Sequence, residues 1–130
     1  MRDHKKLRAF ELADNMTLQV YKMTAKFPKS EQFGLTSQIR RASVSFPSNI
    51  VEGCARTSQT EYVRFINIAY GSACEVEYQA SLAQKLGFLD NTEYQVLSHA
   101  ITETCKVLNR LLQSLKIPAA HNLKPEARSL

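Results

Sequence analysis

The 130-residue sequence has no tryptophan and only four glycines, four prolines and three cysteines, and each scarcity closes off a class of protein. Cys54, Cys74 and Cys105 are odd in number and lack a Cys-x-x-Cys spacing, so neither a disulfide framework nor a zinc site is encoded. They read as free thiols of a reducing compartment, each acting as a small core hydrophobe. Gly34, Gly53, Gly71 and Gly87 lie too far apart to form a phosphate-cradling loop, which disfavours a nucleotide-binding enzyme. No long apolar run follows the charged stretch Met1 to Arg8, so neither a signal peptide nor a membrane span is expected, and a cytoplasmic location is.

Metal chemistry is missing its spacing as well. A di-iron site inside a helical bundle needs glutamates on facing helices plus Glu-x-x-His pairs, and no glutamate here stands three residues before a histidine. His4 and His121 fall near the ends. His99, with Val96 before it and Glu103 after it, reads as a helix-surface residue that nothing in the sequence places beside a cysteine as the base of a Cys–His pair. No metal, other cofactor or small-molecule substrate is therefore expected, and no set of titratable residues points to an enzyme. Internal repeats, low-complexity tracts and strand candidates are absent too.

What is present is helical periodicity. Leu7, Phe10, Ala13, Thr17, Val20 and Met23 recur at spacings of three and four, the mark of one buried helical face, and predict a first helix over about 6–27. Pro28 stops it. Leu35, Ile39, Ala42, Ser43, Phe46, Ile50 and Cys54 continue one period straight through Pro47, so a single helix over 35–55, kinked at Pro47, is expected rather than two. The proline ring leaves the Ser43 carbonyl without its intrahelical donor, a loss of about 3 kcal/mol unless neighbours compensate. Small Ser43, Ser45 and Ser48 make a tight bend feasible there.

Ser58-Gln-Thr-Glu61 has the form of a capping box opening a third helix over 59–87, along which Tyr62, Ala69, Val76 and Ala83 keep a seven-residue series. Gly87 is suited to the left-handed cap at its end. Within it, Gly71-Ser72-Ala73 reads as a point of close helix crossing. Asp90-Asn-Thr-Glu93 opens a fourth helix over 92–116 with the stripe Leu97, Ile101, Cys105, Leu108 and Leu112. The fold class is thus all-α, an antiparallel up-and-down four-helix bundle over 1–117, with 118–130 as a mobile C-terminal tail. A hydrophobic share of 44% with 22% charge suffices for one domain of this length to bury its core without staples.

The net charge is +5, and residues 1–29 supply +4 of it. Such an excess permits contact with RNA, DNA or an acidic protein. Arg40, Arg41, Arg56, Arg64, Lys22 and Lys26 are the candidate phosphate contacts. The same region admits a structural reading, in which Gln38, Asn49, Glu52, Glu75 and Glu77 form a polar network and Arg40 or Arg41 pairs with Glu75 or Glu77 to pin the bundle's register. Tyr62, Phe65, Tyr70 and Tyr78 could stack on bases, although at helical spacing they read as core or subunit-interface packing.

One series of segments carries a further signal: Phe33-Gly-Leu-Thr-Ser-Gln-Ile-Arg-Arg-Ala42, Ser45-Phe-Pro-Ser-Asn-Ile-Val-Glu-Gly53, Glu61-Tyr-Val-Arg-Phe-Ile66, Ala69-Tyr-Gly-Ser72, Glu75-Val-Glu77 and Leu86-Gly-Phe-Leu89. Across most of residues 7–116 it resembles the bacterial four-helix-bundle proteins encoded in intervening sequences of 23S ribosomal RNA genes, often labelled S23. The resemblance implies an antiparallel four-helix bundle assembled as a ring-like homopentamer, without an established catalytic activity. Two functions follow as expectations: a homo-oligomeric module that binds nucleic acid through a basic surface, or a structural scaffold or protein-partner adaptor that does not bind nucleic acid. Exposure of the Arg40 and Arg41 heads separates them.

Overall fold

Residues 2–115 are described by a computed structural model, and they contain four α-helices: α1 Arg8–Thr24, α2 Leu35–Cys54, α3 Gln59–Lys85 and α4 Asn91–Ser114. Two single 3-10 turns, His4–Lys6 and Lys29–Glu31, precede α1 and α2. No strand occurs among the described residues. Each helix packs on the next in sequence, and α4 closes back on α1. Arg40 meets Thr24 while Ser43 meets Thr17, and Ser45 meets Ser72 while Gly53 meets Tyr62 and Phe65, so both helix pairs run antiparallel. This is the up-and-down bundle that the periodicity predicts. The expected tail over 118–130, with residue 116 at the end of the expected fourth helix, lies outside the described residues.

The first helix is shorter at both ends than the 6–27 predicted. Leu7 is extended, with φ −89° and ψ 126°, and Asp3 caps the 3-10 turn by accepting from the Lys5 N–H at 3.0 Å. At the other end, a residue before proline is pushed out of the α region, so Phe27 must leave the helix ahead of Pro28. Its N–H closes a turn on the Thr24 carbonyl at 3.0 Å, and its ring tucks into the bundle end against Phe88, with centroids 5.6 Å apart.

Helix α2 runs unbroken through Pro47, as the single period requires. The Thr17 hydroxyl of α1 lies 2.7 Å from the Ser43 carbonyl oxygen, the acceptor that Pro47 cannot serve. A donor from the neighbouring helix thus replaces the one the ring removes. At the helix start, Glu31 Oε1 accepts from the Leu35 N–H at 2.9 Å, a carboxylate placed where the helix dipole favours it.

The closest packing lies between α2 and α3, and it falls in part where the sequence suggests. Ala69, Ala73, Ala80 and Ala83 are fully buried, and Ser45 Oγ and Ser72 Oγ share a hydrogen bond of 2.8 Å across the seam. Gly53 is where the backbones press together: a Cβ there would stand 3.0 Å from Phe65 Cβ and 3.3 Å from the Tyr62 carbonyl oxygen. Gly71, in contrast, faces open space with nothing within 4 Å, so the expected tight crossing belongs to Gly53, Ser72 and Ala73.

The helix ends follow their local signals in part. Gly87, at φ +83°, closes a Schellman motif in which Phe88 N–H reaches the Ala83 carbonyl at 2.8 Å and Gly87 N–H reaches Gln84 at 3.1 Å. Asp90 and Glu93 form the full reciprocal capping box of α4, at 2.7 and 3.1 Å. At α3 only half of the box exists. Ser58 Oγ accepts from the Glu61 N–H at 3.1 Å, while the Glu61 carboxylate turns outward to Arg64.

Candidate functional site

The six cationic residues singled out by sequence do not form one surface. Antiparallel packing puts Lys22, Lys26, Arg40 and Arg41 toward the end of the bundle where α1 leads into α2, and Arg56 and Arg64 toward the opposite end, where α2 leads into α3. Along α2 alone, Arg40 and Arg56 are separated by roughly 24 Å at the usual helical rise.

The two groups also differ in what holds their charge. Arg56 Nη2 lies 2.5 Å from Glu52 Oε2, one turn earlier, and its guanidinium is 5.6 Å from the centroid of the Phe65 ring. Arg64 binds Glu61 at 3.1 Å and covers the other side of the same surroundings, 4.5 Å from the Phe65 centroid. Both are local pairs on exposed helix surface, with little stability in them but most of their charge offset. The signal for this pairing was in the sequence, since Glu52 and Arg56 are four apart and Glu61 and Arg64 three apart. Lys26 is likewise engaged, by Glu93 of α4.

Arg40 and Arg41 are placed otherwise. The expected pairing with Glu75 or Glu77 does not occur. Arg40 reaches back to α1, where its Nε donates to Thr24 Oγ1 at 2.7 Å, its Nη2 to the Tyr21 carbonyl oxygen at 3.4 Å, and its guanidinium lies 4.7 Å from the Tyr21 ring centroid. These partners are all neutral, so the side chain is fixed while its charge stays uncompensated. Arg41 and Lys22 are exposed, and among the described residues neither lies in a salt bridge. Tyr21, 42% exposed, adds an aromatic edge to this cationic face.

The expected polar network is also rearranged. Gln38 and Glu75 are exposed, and Asn49 donates to Ser45, at 2.8 Å to its carbonyl and 3.0 Å to its hydroxyl, rather than approaching Glu52. Glu77 faces α4, where it accepts from the Tyr94 hydroxyl at 2.6 Å and Ser98 Oγ at 3.0 Å. That hydrogen bond, followed by burial, raises the Tyr94 phenol above its ordinary pKa. An acidic residue is thus satisfied by neutral donors on one face while a basic one is held by neutral acceptors on another. The charges expected to cancel are kept apart.

Burial pushes the Cys105 thiol up to about 11, with the neighbouring Cys74 and Glu77 adding to the rise, so it is a poor nucleophile at neutral pH. Cys54 is raised by burial as well. Cys74 is exposed, contrary to the core role expected for all three thiols. Among the aromatics of α3, Tyr62 is buried, Phe65 and Tyr70 are half-buried and Tyr78 is 65% exposed. A shallow depression of about 400 Å³ at the α2–α3 turn is lined by Ala55, Arg56, Thr57, Ser58 and Glu61. No cluster of three or more His, Cys, Asp or Glu able to hold a metal occurs among the described residues. None of the described helices is long and apolar enough to cross a membrane.

Comparison with known proteins places these features in a family. The family described as 23S rRNA-intervening sequence protein matches residues 5–110, and the chain belongs to it. A crystal structure from Bacteroides thetaiotaomicron VPI-5482, described as a protein with unknown function from the S23 ribosomal protein family, is similar at a TM-score of 0.73 and 22% identity. The match covers 81% of this chain and 98% of that one, and at such identity it establishes the fold alone. No curated protein matches the chain.

Proposed function

We propose that this member of the 23S rRNA-intervening sequence family is a non-enzymatic cytoplasmic module that assembles as a homo-oligomer and binds nucleic acid through the cationic face where α1 meets α2. The observation that carries the reading is the state of Arg40. Its guanidinium is immobilised by Thr24, the Tyr21 carbonyl and the Tyr21 ring, which fixes its direction without offsetting its charge. Arg41 and Lys22 are exposed on the same helices toward the same end of the bundle, where they add to its positive charge.

Assembly multiplies this field. A ring of five copies, the assembly expected from the family resemblance, would carry about +25 at +5 each, so that weak phosphate contacts add up. Leu18, Val44 and Tyr78 are exposed apolar side chains suited to contacts between copies.

The test is fluorescence anisotropy of labelled structured RNA and duplex DNA across a salt series, with the mass of the protein measured by sedimentation. Binding that weakens steeply with salt, and a slope that falls by about 1 on Arg41→Ala, are the expected results. No binding at low salt would remove the reading. A second reading, a scaffold or protein-partner adaptor, is favoured by the pairing of Arg56 with Glu52, Arg64 with Glu61 and Lys26 with Glu93. It expects assembly without any affinity for either nucleic acid.

A further inference from the structure

Phe33 is the most exposed large apolar side chain among the described residues, at 91%, and it does not sit on a loose loop. The connection between α1 and α2 is hydrogen-bonded along its length. Glu31 N–H reaches the Pro28 carbonyl at 2.9 Å, Gln32 N–H reaches Lys29 at 3.1 Å, and Gly34 N–H reaches Glu31 at 2.9 Å. The Glu31 side chain then ties the loop to the first N–H of α2. Phe27, six residues earlier, anchors the same segment from beneath by packing on Phe88. One phenylalanine of this loop is driven into the bundle and the other is held out in water on a fixed stalk.

The ring stands on a polar loop of mixed charge at the end of the bundle that carries Arg40 and Arg41. Lys29, Ser30 and Gln32 beside it in the chain are exposed, the Glu31 carboxylate is tied to the Leu35 N–H, and Arg40 and Arg41 follow about two turns into the helix that the loop opens. An aromatic ring carried on a hydrogen-bonded loop at a cationic end of the bundle is suited to a partner that offers both a flat π-surface and a chain of phosphates. Paired bases hide their faces in the stack, whereas unpaired bases expose them. Because the loop backbone is already ordered, binding has to order only the torsions of the ring itself.

We propose that Phe33 is a stacking platform for an unpaired base, and that the nucleic acid recognised by this face is single-stranded: a loop, bulge or free end rather than a duplex. The inference rests on the nucleic-acid reading above and gives that surface its substrate class. Lys29, Arg40 and Arg41 hold the phosphates, and the ring discriminates strand state.

The experiment compares anisotropy of a fluorescein-labelled unstructured 20-nucleotide RNA with that of the same sequence in a blunt duplex, for the full chain and for Phe33→Ala. Because the ring is outside the core, the variant folds. Stacking on one base corresponds to about a 5- to 150-fold loss of single-strand affinity in Phe33→Ala, with duplex affinity and salt slope unchanged. A second variant reads the ring directly: the chain lacks tryptophan, so Phe33→Trp supplies a single tryptophan, excited apart from the five tyrosines, that the single strand quenches and the duplex does not. If the unaltered protein binds both probes equally and Phe33→Ala changes neither, the platform is wrong while the nucleic-acid reading stands. If it binds neither probe at low salt, both fall. A lower assembly mass for Phe33→Ala with undiminished single-strand affinity would assign the ring to contacts between copies and overturn the proposal.

Discussion

The pairing of Thr17 with the Ser43 carbonyl invites a double-mutant cycle, because it explains how a proline survives inside a buried helix. Pro47 removes one backbone donor, and Ser43 is fully buried, so its carbonyl has no water to turn to. The Thr17 hydroxyl supplies the donor at 2.7 Å. Thr17→Val keeps the side-chain shape and deletes that hydroxyl, leaving a buried acceptor unmet at a loss of about 1–3 kcal/mol. In a Pro47→Ala background the backbone regains an N–H at that position, which can make the ordinary helical bond to Ser43. The same Thr17→Val change should then lose only a few tenths of a kcal/mol, about the worth of its own back-bond to Ala13. The expected coupling is therefore about 1–2 kcal/mol. Pro47→Ala alone gains helix propensity and loses packing of a buried ring, and the cycle cancels both contributions. Urea unfolding of the four proteins, followed by circular dichroism at one protein concentration, measures it. If Thr17→Val is equally destabilising in both backgrounds, within about 0.3 kcal/mol, the donor-replacement argument fails.

Two glycine variants separate close packing from open surface. Gly53→Ala forces a methyl against Phe65 Cβ and the Tyr62 carbonyl, and is expected to destabilise by about 1–3 kcal/mol, whereas Gly71→Ala meets nothing in the chain and should stabilise the helix by about 0.5–1 kcal/mol. Thermal melts in which both shift the same way would contradict the assignment of the α2–α3 contact. Leu108→Ala, at a fully buried position of α4, should lose about 2–5 kcal/mol in the same assay; a loss below about 1 kcal/mol would argue against α4 contributing to the core. The Tyr94–Glu77 bond predicts a pH dependence. The neutral phenol donates to the carboxylate, and its pKa is raised in the folded chain above the ordinary 10.0. Its contribution to stability is therefore complete below pH 10 and is lost as pH rises through the raised value. The gap in urea midpoint between the natural sequence and Tyr94→Phe should narrow above pH 10, where a constant gap would refute the coupling. Taking the difference removes the Cys105 titration, which has the same sign.

The bundle was legible because its signals are local or periodic. Spacings of three, four and seven place Ala13, Val20, Ile39, Ile50, Val76, Leu97 and Leu108 on buried faces, and all seven are in the core. Gly87 and Asp90 mark the α3–α4 turn through chemistry completed within a few residues. Thr17 is the opposite case. Its hydroxyl lies on the expected buried face of α1, yet its partner is set by the register of α1 against α2, and no pattern within either helix encodes that register. Gly53 and Gly71 fail for the same reason: both are small residues within helices, and only the path of the neighbouring backbone decides which one is pressed.

The arginines show how far charge can be read before a fold is known. Arg56 and Arg64 carry their partners with them, because Glu52 and Glu61 lie one helical turn away, and their neutralisation could be inferred from spacing. Arg40 and Arg41 have no acidic residue at three or four positions on either side, so local pairing was excluded from the outset and only a distant carboxylate could have absorbed them. The fold withholds it. Glu77 is turned toward Tyr94 and Ser98 across the α3–α4 seam, and Arg40 is turned toward α1. A substitution that moved a carboxylate to this face would test the consequence: Ser37→Glu puts an acid one helical turn before Arg40, outside the core, and it should weaken phosphate binding as much as Arg40→Ala does while leaving the guanidinium present. Undiminished binding in Ser37→Glu, with the bundle intact by circular dichroism, would show that the free charge of Arg40 is not what the partner meets.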